Sequence, residues 1–155
     1  ILTKHQLITI RYIEPQAFTL FSLRLKKLDA SQFSPEDIFI ELLDVIIDRL
    51  ADILEFVGHR LDESSQIIFR SKSSIEDLNS KLDYQKIFQQ IGMKGDLNTK
   101  ARESLITFNR AISFFTQTVN SSLNKDLQAR LLSLSNDINS LSYHADFISN
   151  KINFL

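Results

Sequence analysis

Acidic residues recur at helical spacing early in a long periodic segment. Six of them are separated by steps of four, three, four, four and three residues, which places them on one helix face: Asp37, Glu41, Asp44, Asp48, Asp52 and Glu55. Like charges at these spacings repel, and a hard divalent cation or a basic partner would relieve the repulsion. The simpler interpretation, which we favour, is a solvated outer face that pairs with a basic second long helix.

The residue types give little support to other chemistries. The chain has no cysteine, which excludes disulfides, thiolate zinc sites and cysteine nucleophiles. Its three glycines cannot form a phosphate-binding loop, and no serine lies in a Gly-x-Ser-x-Gly turn. The three histidines, His5, His59 and His144, are far apart in the sequence, so we interpret them as structural or incidental. We therefore do not expect an enzyme.

The length of the chain suggests one compact unit or part of a larger one, and its composition suggests a folded, helical protein. Of the 155 residues, 43% are apolar and 24% are charged, as in an ordinary globular domain. The net charge of −1 gives no reason to expect nucleic acid binding. Only three glycines and two prolines occur, which argues against an all-β fold and favours long helices. The longest apolar runs are triplets, far short of the ~18 residues needed to cross a bilayer.

The N-terminal residues predict two short strands and a short helix. Leu, Ile and Thr flank the polar turn Lys4-His5-Gln6, as in a hairpin. Since a lone hairpin is marginally stable in water, we expect the edge of a sheet whose other strands are absent. Pro15 then begins a helix that should reach about Lys27, with one apolar side formed by Phe18, Phe21, Leu25 and Leu28.

The first long helix has the clearest boundary. Ser34, Pro35 and Asp37 supply an N-cap, a proline in the first turn and an acid three residues after the cap, while Phe33 and Ile38 could form a hydrophobic staple. We expect this helix to run to about Arg70. Its apolar residues recur at helical spacing: Phe39, Leu43, Ile46, Leu50, Ile53, Val57, Leu61 and Ile68.

Two further long helices are predicted. Ser74 and Asp77 repeat the capping pattern before the second, which contains a weak or kinked point at Gly92 and Gly95. Its apolar seam is Ala101, Leu105, Phe108, Ile112, Phe115 and Val119. After a break at residues 120–122, the third helix begins near Asn124, with the seam Leu127, Leu131, Leu134, Ile138, Leu141, Ala145, Ile148, Ile152 and Leu155. With short joints, the three helices must run antiparallel to bury their seams.

The third helix is rich in small polar residues outside its seam. Serine and asparagine fill most of these positions, and long charged side chains are scarce. This suits a rod packed on more than one side, as in a bundle or an oligomer around an axis, and equally a Ser/Asn-rich surface. The expected fold is mainly α, with two long antiparallel helices, this third helix and the N-terminal hairpin.

Four stretches in the same order resemble the cytoplasmic part of CorA-type magnesium and cobalt channels. The hairpin of residues 1–11 is similar to the last hairpin of that family's sheet, and Glu41-Leu42-Leu43-Asp44 with residues 48–52 is similar to the start of its first long helix. Ile91-Gly92-Met93-Lys94 resembles its second long helix. Ser140-Leu141-Ser142-Tyr143-His144, running into residues 147–155, resembles the stalk helix that leads into the membrane.

The resemblance implies a division of the chain into three parts. Residues 1–33 would be the edge hairpin and short helix of a truncated α/β regulatory domain. Residues 34–120 would be the antiparallel long-helix pair, and residues 121–155 the upper stalk. The chain starts without Met and stops inside an apolar pattern, which we interpret as a piece of a longer protein. The resemblance implies that two transmembrane helices follow it.

The resemblance also implies partners and a regulatory metal. The family is homopentameric, lies in the cell inner membrane with this part on the cytoplasmic side, and transports divalent cations such as Mg2+ and Co2+. Intracellular Mg2+ bridges neighbouring subunits and holds the channel shut. Asp137, the stalk acid in Asn136-Asp137-Ile138, resembles the carboxylate of that bridge. Its partner carboxylate would lie upstream of Ile1, so this chain would bind Mg2+ weakly and would not conduct alone.

An alternative function of a different class is a helical scaffold or adaptor that binds a helix of another protein. The residues that follow Leu155 in the parent gene discriminate between the two. About 20 apolar residues ending in Gly-Met-Asn favour the channel, whereas a polar tail favours the adaptor.

Overall fold

A computed structural model describes residues 1–27, 33–71, 84–119 and 124–155. These residues form four helices: α1 (Gln16–Leu25), α2 (Pro35–Ser71), α3 (Tyr84–Val119) and α4 (Lys125–Phe154). The prediction of a mainly α protein built from three long helices is confirmed. The predicted cap at Ser74 and Asp77 and the predicted break at residues 120–122 lie outside the described residues.

The predicted N-terminal β-hairpin is wrong as a pair of strands. Leu2 and Leu7 form a single antiparallel bridge, and the described residues contain no strand. The amide of Ile8 donates to the carbonyl of Ile1 at 2.8 Å, and the Thr3 hydroxyl accepts from the amide of Gln6 at 3.1 Å. A turn is therefore present, but without a third strand among the described residues a two-stranded ladder gains too little burial to extend.

The chain divides by its contacts into two units. Unit 1 contains Ile1–Leu50 and Thr107–Asn139, and unit 2 contains Ala51–Ile106 and Ser140–Leu155. Each of the three long helices therefore contributes one segment to each unit.

In unit 1, α1 is held against the beginning of α2 by apolar contacts. Pro15 caps α1 in an extended conformation, as its fixed φ favours. A cluster of buried residues joins the two helices: Ala17, Phe21, Leu42 and Val45. Phe18 and Leu25, which we placed on the apolar side of α1, are partly buried against this cluster. Burying a side chain the size of Phe21 stabilises the contact by about 2 kcal/mol.

The start of α2 is fixed by the predicted capping box. The amide of Asp37 donates to the Ser34 hydroxyl oxygen at 3.1 Å, and the amide of Ser34 donates to Asp37 Oδ2 at 2.9 Å. Both bonds satisfy amides that the first helical turn leaves without intrahelical partners. The helix then continues without interruption to Ser71, one residue beyond the predicted end.

At three positions of the predicted α2 seam, the buried residue is the one that follows the predicted residue in the sequence. Leu43, Leu50, Val57 and Leu61 are buried as expected. Ile40, Ile47 and Leu54 are buried in place of Phe39, Ile46 and Ile53, which are only half-buried. Both sets are apolar and adjacent on the helix surface, so spacing alone does not decide which set faces the neighbouring helices.

In unit 2, α2 runs parallel to α4 and α3 runs in the opposite direction. Asp62 pairs with Lys151 and Phe69 contacts Phe154 further along both helices, with ring centroids 6.0 Å apart. On the other side, Arg102 of α3 pairs with Asp146 of α4. An antiparallel α2–α3 pair accompanied by α4 is therefore found within this unit.

The predicted weak point of α3 does not interrupt the helix. Tyr84–Val119 is one continuous helix, and neither Gly92 nor Gly95 has a positive φ. A Cβ at Gly92 would meet no atom within 4 Å, whereas a Cβ at Gly95 would lie 3.8 Å from a methyl carbon of Ile152. Gly95 therefore lies where α3 packs on α4.

The third long helix has the predicted start and seam. The amide of Leu127 donates to Asn124 Oδ1 at 2.8 Å, an N-cap one residue before α4. Six of the predicted seam residues are buried and the remaining three are partly buried; the buried ones are Leu127, Leu131, Leu134, Ile138, Ala145 and Ile148. In the part of the chain that the structure describes, none of the helices is apolar over a stretch long enough to cross a membrane.

Candidate metal-binding residues

The first half of the acidic face is occupied by an arginine of α1. Arg24 reaches across to α2, with Nη2 3.0 Å from Asp48 Oδ2. Its other terminal nitrogen lies 3.6 Å from Glu41 Oε1 and 3.6 Å from Asp44 Oδ2. One guanidinium, which presents five donors, thus serves three carboxylates.

A second arginine completes the pairing in unit 1. Arg130 of α4 donates from Nη2 to Glu41 Oε2 at 2.9 Å, where the two side chains are 33% and 22% exposed. Glu41 therefore lies between two cations from two different helices. In this unit the basic partners of the acidic face belong to α1 and α4, so the prediction of pairing with the second long helix is wrong here.

The crowding of the carboxylates has an electrostatic consequence. Burial raises the pKa of Asp44, and the neighbouring charges of Asp48 and Glu41 raise it further, while Arg24 and Arg130 oppose them. The hydrogen bond to Asp48 raises the pKa of Arg24, against partial desolvation. The surroundings therefore raise the pKa of Asp44 above that of a free aspartate, and they strengthen the hold of Arg24 on its proton.

The second half of the acidic face lies in unit 2. Glu55 Oε1 lies 3.7 Å from His59 Nε2, one turn along the same exposed surface. Across the described residues, no three His, Asp or Glu side chains converge into a group that could hold a metal ion. The ion-paired, solvated interpretation of this face therefore describes it better than a cation site.

Asp137 lies on the exposed surface of α4 in unit 1, next to the buried Ile138. Among the described residues, its carboxylate forms no hydrogen bond or ion pair. The structure therefore leaves this carboxylate open to solvent and does not bring it together with a second ligand. The regulatory metal site stays a prediction.

The histidines are not brought together either. His5 lies in the N-terminal turn, and His59 is paired with Glu55, a neighbour that inspection of the histidines alone did not single out. The ring of His144 stacks on that of Phe147 at a centroid distance of 6.4 Å. These contacts are those of surface histidines.

Three residues that sequence reasoning missed organise the packing. Arg24 and Arg130 were unremarkable surface cations, and their roles depend on which helices are neighbours in space. Asn98 is buried, 1% exposed, on the seam of α3. A signal did exist for Asn98, because it lies seven residues from both Ile91 and Leu105, which are buried on the same seam.

The described part of the chain is thus a helical protein whose long helices are joined by ion pairs. No group of side chains arranged for catalysis is found among the described residues. The sequence model of the CorA-like Mg2+ transporter protein family matches residues 1–155, so the chain belongs to that family. It is a family of ion transporters and not of enzymes.

Curated relatives agree with this assignment. The magnesium transport protein CorA of Haemophilus ducreyi is 28% identical over 150 residues, which cover 97% of this chain and 45% of the relative. The protein of that name from Haemophilus influenzae is 28% identical over 152 residues, and that from Escherichia coli K12 is 25% identical over 150 residues. The chain spans about half the length of the curated relatives it matches.

Proposed function

We propose that this chain is the cytoplasmic part of a divalent cation transporter of the inner membrane, which carries Mg2+ or Co2+. The observation that carries the proposal is the family match over all 155 residues. In this proposal, ions are conducted by a part of the full-length protein outside residues 1–155. Residues 1–155 contribute subunit packing and Mg2+ sensing.

The division of labour follows the three predicted parts. Residues 1–33 carry a turn and a short helix that dock onto α2. Residues 34–120 include α2 and α3, and residues 121–155 include α4. We assign α4 the role of the stalk that transmits a change in this domain to the membrane.

We further propose that the full-length protein is a homopentamer packed through the outer face of α4. Within unit 2, Tyr143 and Phe147 are 77% and 62% exposed, and they lie on the side opposite the buried Ala145 and Ile148. Large apolar side chains at helical spacing on an outer face fit contact with a neighbouring subunit better than contact with water.

Asp137 is our candidate ligand for the regulatory Mg2+. A carboxylate oxygen is a preferred ligand for this ion, and the Asp137 side chain is exposed and open to an ion or a neighbouring subunit. A single carboxylate holds Mg2+ weakly, because Mg2+ needs six oxygen ligands and keeps several of them as water. Regulation therefore requires a second subunit to complete the site.

The test uses the full-length protein in proteoliposomes with a Mg2+-sensitive dye inside. We expect Asp137→Asn to raise the cytoplasmic-side Mg2+ concentration that half-inhibits uptake, with uptake itself retained. Asp126→Asn, an exposed acid in the first turn of the same helix, is the matched control and should leave that concentration unchanged. If the same Mg2+ concentration half-inhibits uptake by Asp137→Asn and by the unsubstituted protein, Asp137 is not a ligand of the regulatory Mg2+.

A further inference from the structure

One polar side chain lies inside the packing of unit 2. Asn98 Nδ2 donates to the carbonyl oxygen of Ala145 at 2.9 Å and to the Ser149 hydroxyl oxygen at 2.9 Å. The Ser149 hydroxyl in turn donates to the Ala145 carbonyl at 3.1 Å. Among the described residues, no donor reaches the buried Asn98 Oδ1. Asn98 thus occupies a seam position at a cost in stability.

The apolar seam by itself does not fix how far α4 lies along α3. In unit 2 the α3 seam around Asn98 is Ile91, Ala101 and Leu105, and most of the facing residues of α4 are Leu or Ile. Sliding one such seam past the other by a turn exchanges one aliphatic contact for another. The apolar area buried would change little, so a different feature must select the register.

The α4 seam contains one position that suits Asn98. Of its seam residues in unit 2, only Ala145 is small; the others are Leu141, Ile148, Ile152 and Leu155. Side chains on an α-helix lean toward the helix N-terminus. The carbonyl oxygen of one residue is therefore covered by the side chain of the residue one turn later. Here that residue is Ser149, which leaves the Ala145 carbonyl accessible and adds a hydroxyl.

The neighbouring contacts agree with the same register. Gly95, almost one turn before Asn98, gives room to Ile152, whose methyl carbon is 3.8 Å from the position of a Cβ at Gly95. Arg102 Nε lies 2.8 Å from Asp146 Oδ1. A slip by one turn would move the Asn98 amide away from the paired acceptors of Ala145 and Ser149.

We propose that Asn98 is a positioning residue that selects the axial register of α4 against α3, through the paired acceptors of Ala145 and Ser149. The register costs stability, since an apolar residue would bury more favourably in the same position. In return, a displacement of α4 along α3 breaks both hydrogen bonds of the Asn98 amide. This inference concerns the packing of the chain and stands whether or not the full-length protein transports ions.

The register of α4 against α3 can be measured by cross-linking introduced cysteines. The sequence has no natural cysteine that would react as well. Three double-cysteine versions of the 155-residue chain share Arg102→Cys. The second cysteine replaces Asp146, which reports the observed register, or exposed Tyr143 or Asn150, which report slips of about one turn. Each version is treated with a short bis-maleimide, with and without Asn98→Leu.

We expect the 102–146 pair to dominate with Asn98 present. With Asn98→Leu, the yields for 102–143 or 102–150 should rise several-fold while the melting temperature is retained or raised. Asn98→Ala has a side chain smaller than asparagine and therefore fits the same space. It should show the same redistribution of cross-linking yields, and it replaces Asn98→Leu as the test if the leucine variant does not fold. The control Thr99→Leu adds an apolar side chain on an exposed position of α3 and should keep the original pattern.

An unchanged cross-linking pattern in both Asn98 variants would overturn the proposal. A redistribution of the same size in Thr99→Leu would overturn it as well, because any added apolar side chain on α3 would then loosen the register.

Discussion

Arg130 of α4 donates a hydrogen bond to Glu41 of α2, with 2.9 Å between Nη2 and Oε2, although the two residues are 89 positions apart in the sequence. The same carboxylate faces Arg24 of α1 at 3.6 Å. Glu41 is therefore the point at which three helices of unit 1 meet electrostatically, and it is less exposed than the other acids that Arg24 contacts.

Replacing Glu41 should cost more than replacing its neighbours on the same face. Glu41→Gln removes the charge from a half-buried, hydrogen-bonded pair, and we expect the free energy of unfolding to fall by about 1 kcal/mol. Asp48→Asn is the control, since Asp48 is 60% exposed and, among the described residues, pairs only with Arg24; we expect a loss below ~0.5 kcal/mol. Urea titration measures both, and equal losses would contradict the proposed role of Glu41.

Asp44 should make stability depend on pH in the direction opposite to most carboxylates. Its pKa is raised by burial and by the neighbouring acids. The folded chain therefore binds this proton at pH values where the unfolded chain, with a pKa of about 3.9, has lost it. Stability then falls as the pH rises from the unfolded pKa through the folded one.

The matched variant for this effect is Asp44→Asn, which cannot ionise. We expect the variant to gain stability relative to the unsubstituted chain as the pH rises from 4 to 7. The gain should be only a few tenths of a kcal/mol, because the side chain is 42% exposed and screened by water. Urea titrations at several pH values would refute this if the difference were constant or shrank with rising pH.

Gly92 is a position where α3 can be strengthened. A Cβ there would meet no atom within 4 Å, and the helix continues on both sides. Gly92→Ala should therefore raise the free energy of unfolding by roughly 0.5–1 kcal/mol, since alanine loses less backbone entropy in a helix. A decrease in the melting temperature would show that α3 needs its glycine at this point.

Ile148 tests whether the seam of α4 is a core. Its side chain is 1% exposed, and we expect Ile148→Asp to destabilise the chain by roughly 2–5 kcal/mol. Phe147→Asp is the control, because Phe147 is 62% exposed and should tolerate a charge in the isolated chain. Thermal unfolding followed by circular dichroism would disprove the assignment if the two substitutions had the same effect.

Local signals in the sequence predicted the elements well. The Ser34–Asp37 capping box depends on residues three positions apart and forms as expected, and α4 begins beside Asn124, where the third helix was predicted to start. The seam of α4 was also predicted, because its apolar residues follow one another in alternating steps of four and three. The seam of α2 was misplaced at Ile40, Ile47 and Leu54, because that helix carries two adjacent apolar stripes and only its neighbours decide between them.

Long-range contacts could not be predicted in the same way. The three carboxylates around Arg24 were recognised as a group, but nothing in the local pattern showed that a cation some 20 residues earlier would fill their centre. Asn98 was missed because the seam of α3 was traced through apolar residues alone. The Leu2–Leu7 bridge shows that strand-forming residues do not extend a ladder when little surface is available to cover it.

We propose that residues 1–155 belong to a protein that moves divalent cations across a membrane. The most direct measurement is Mg2+ uptake into proteoliposomes that contain the full-length protein, compared with empty vesicles under the same gradient. We predict uptake that depends on the protein and on the Mg2+ gradient, and that internal Mg2+ suppresses. Vesicles with correctly inserted protein that admit neither Mg2+ nor Co2+ would contradict the account.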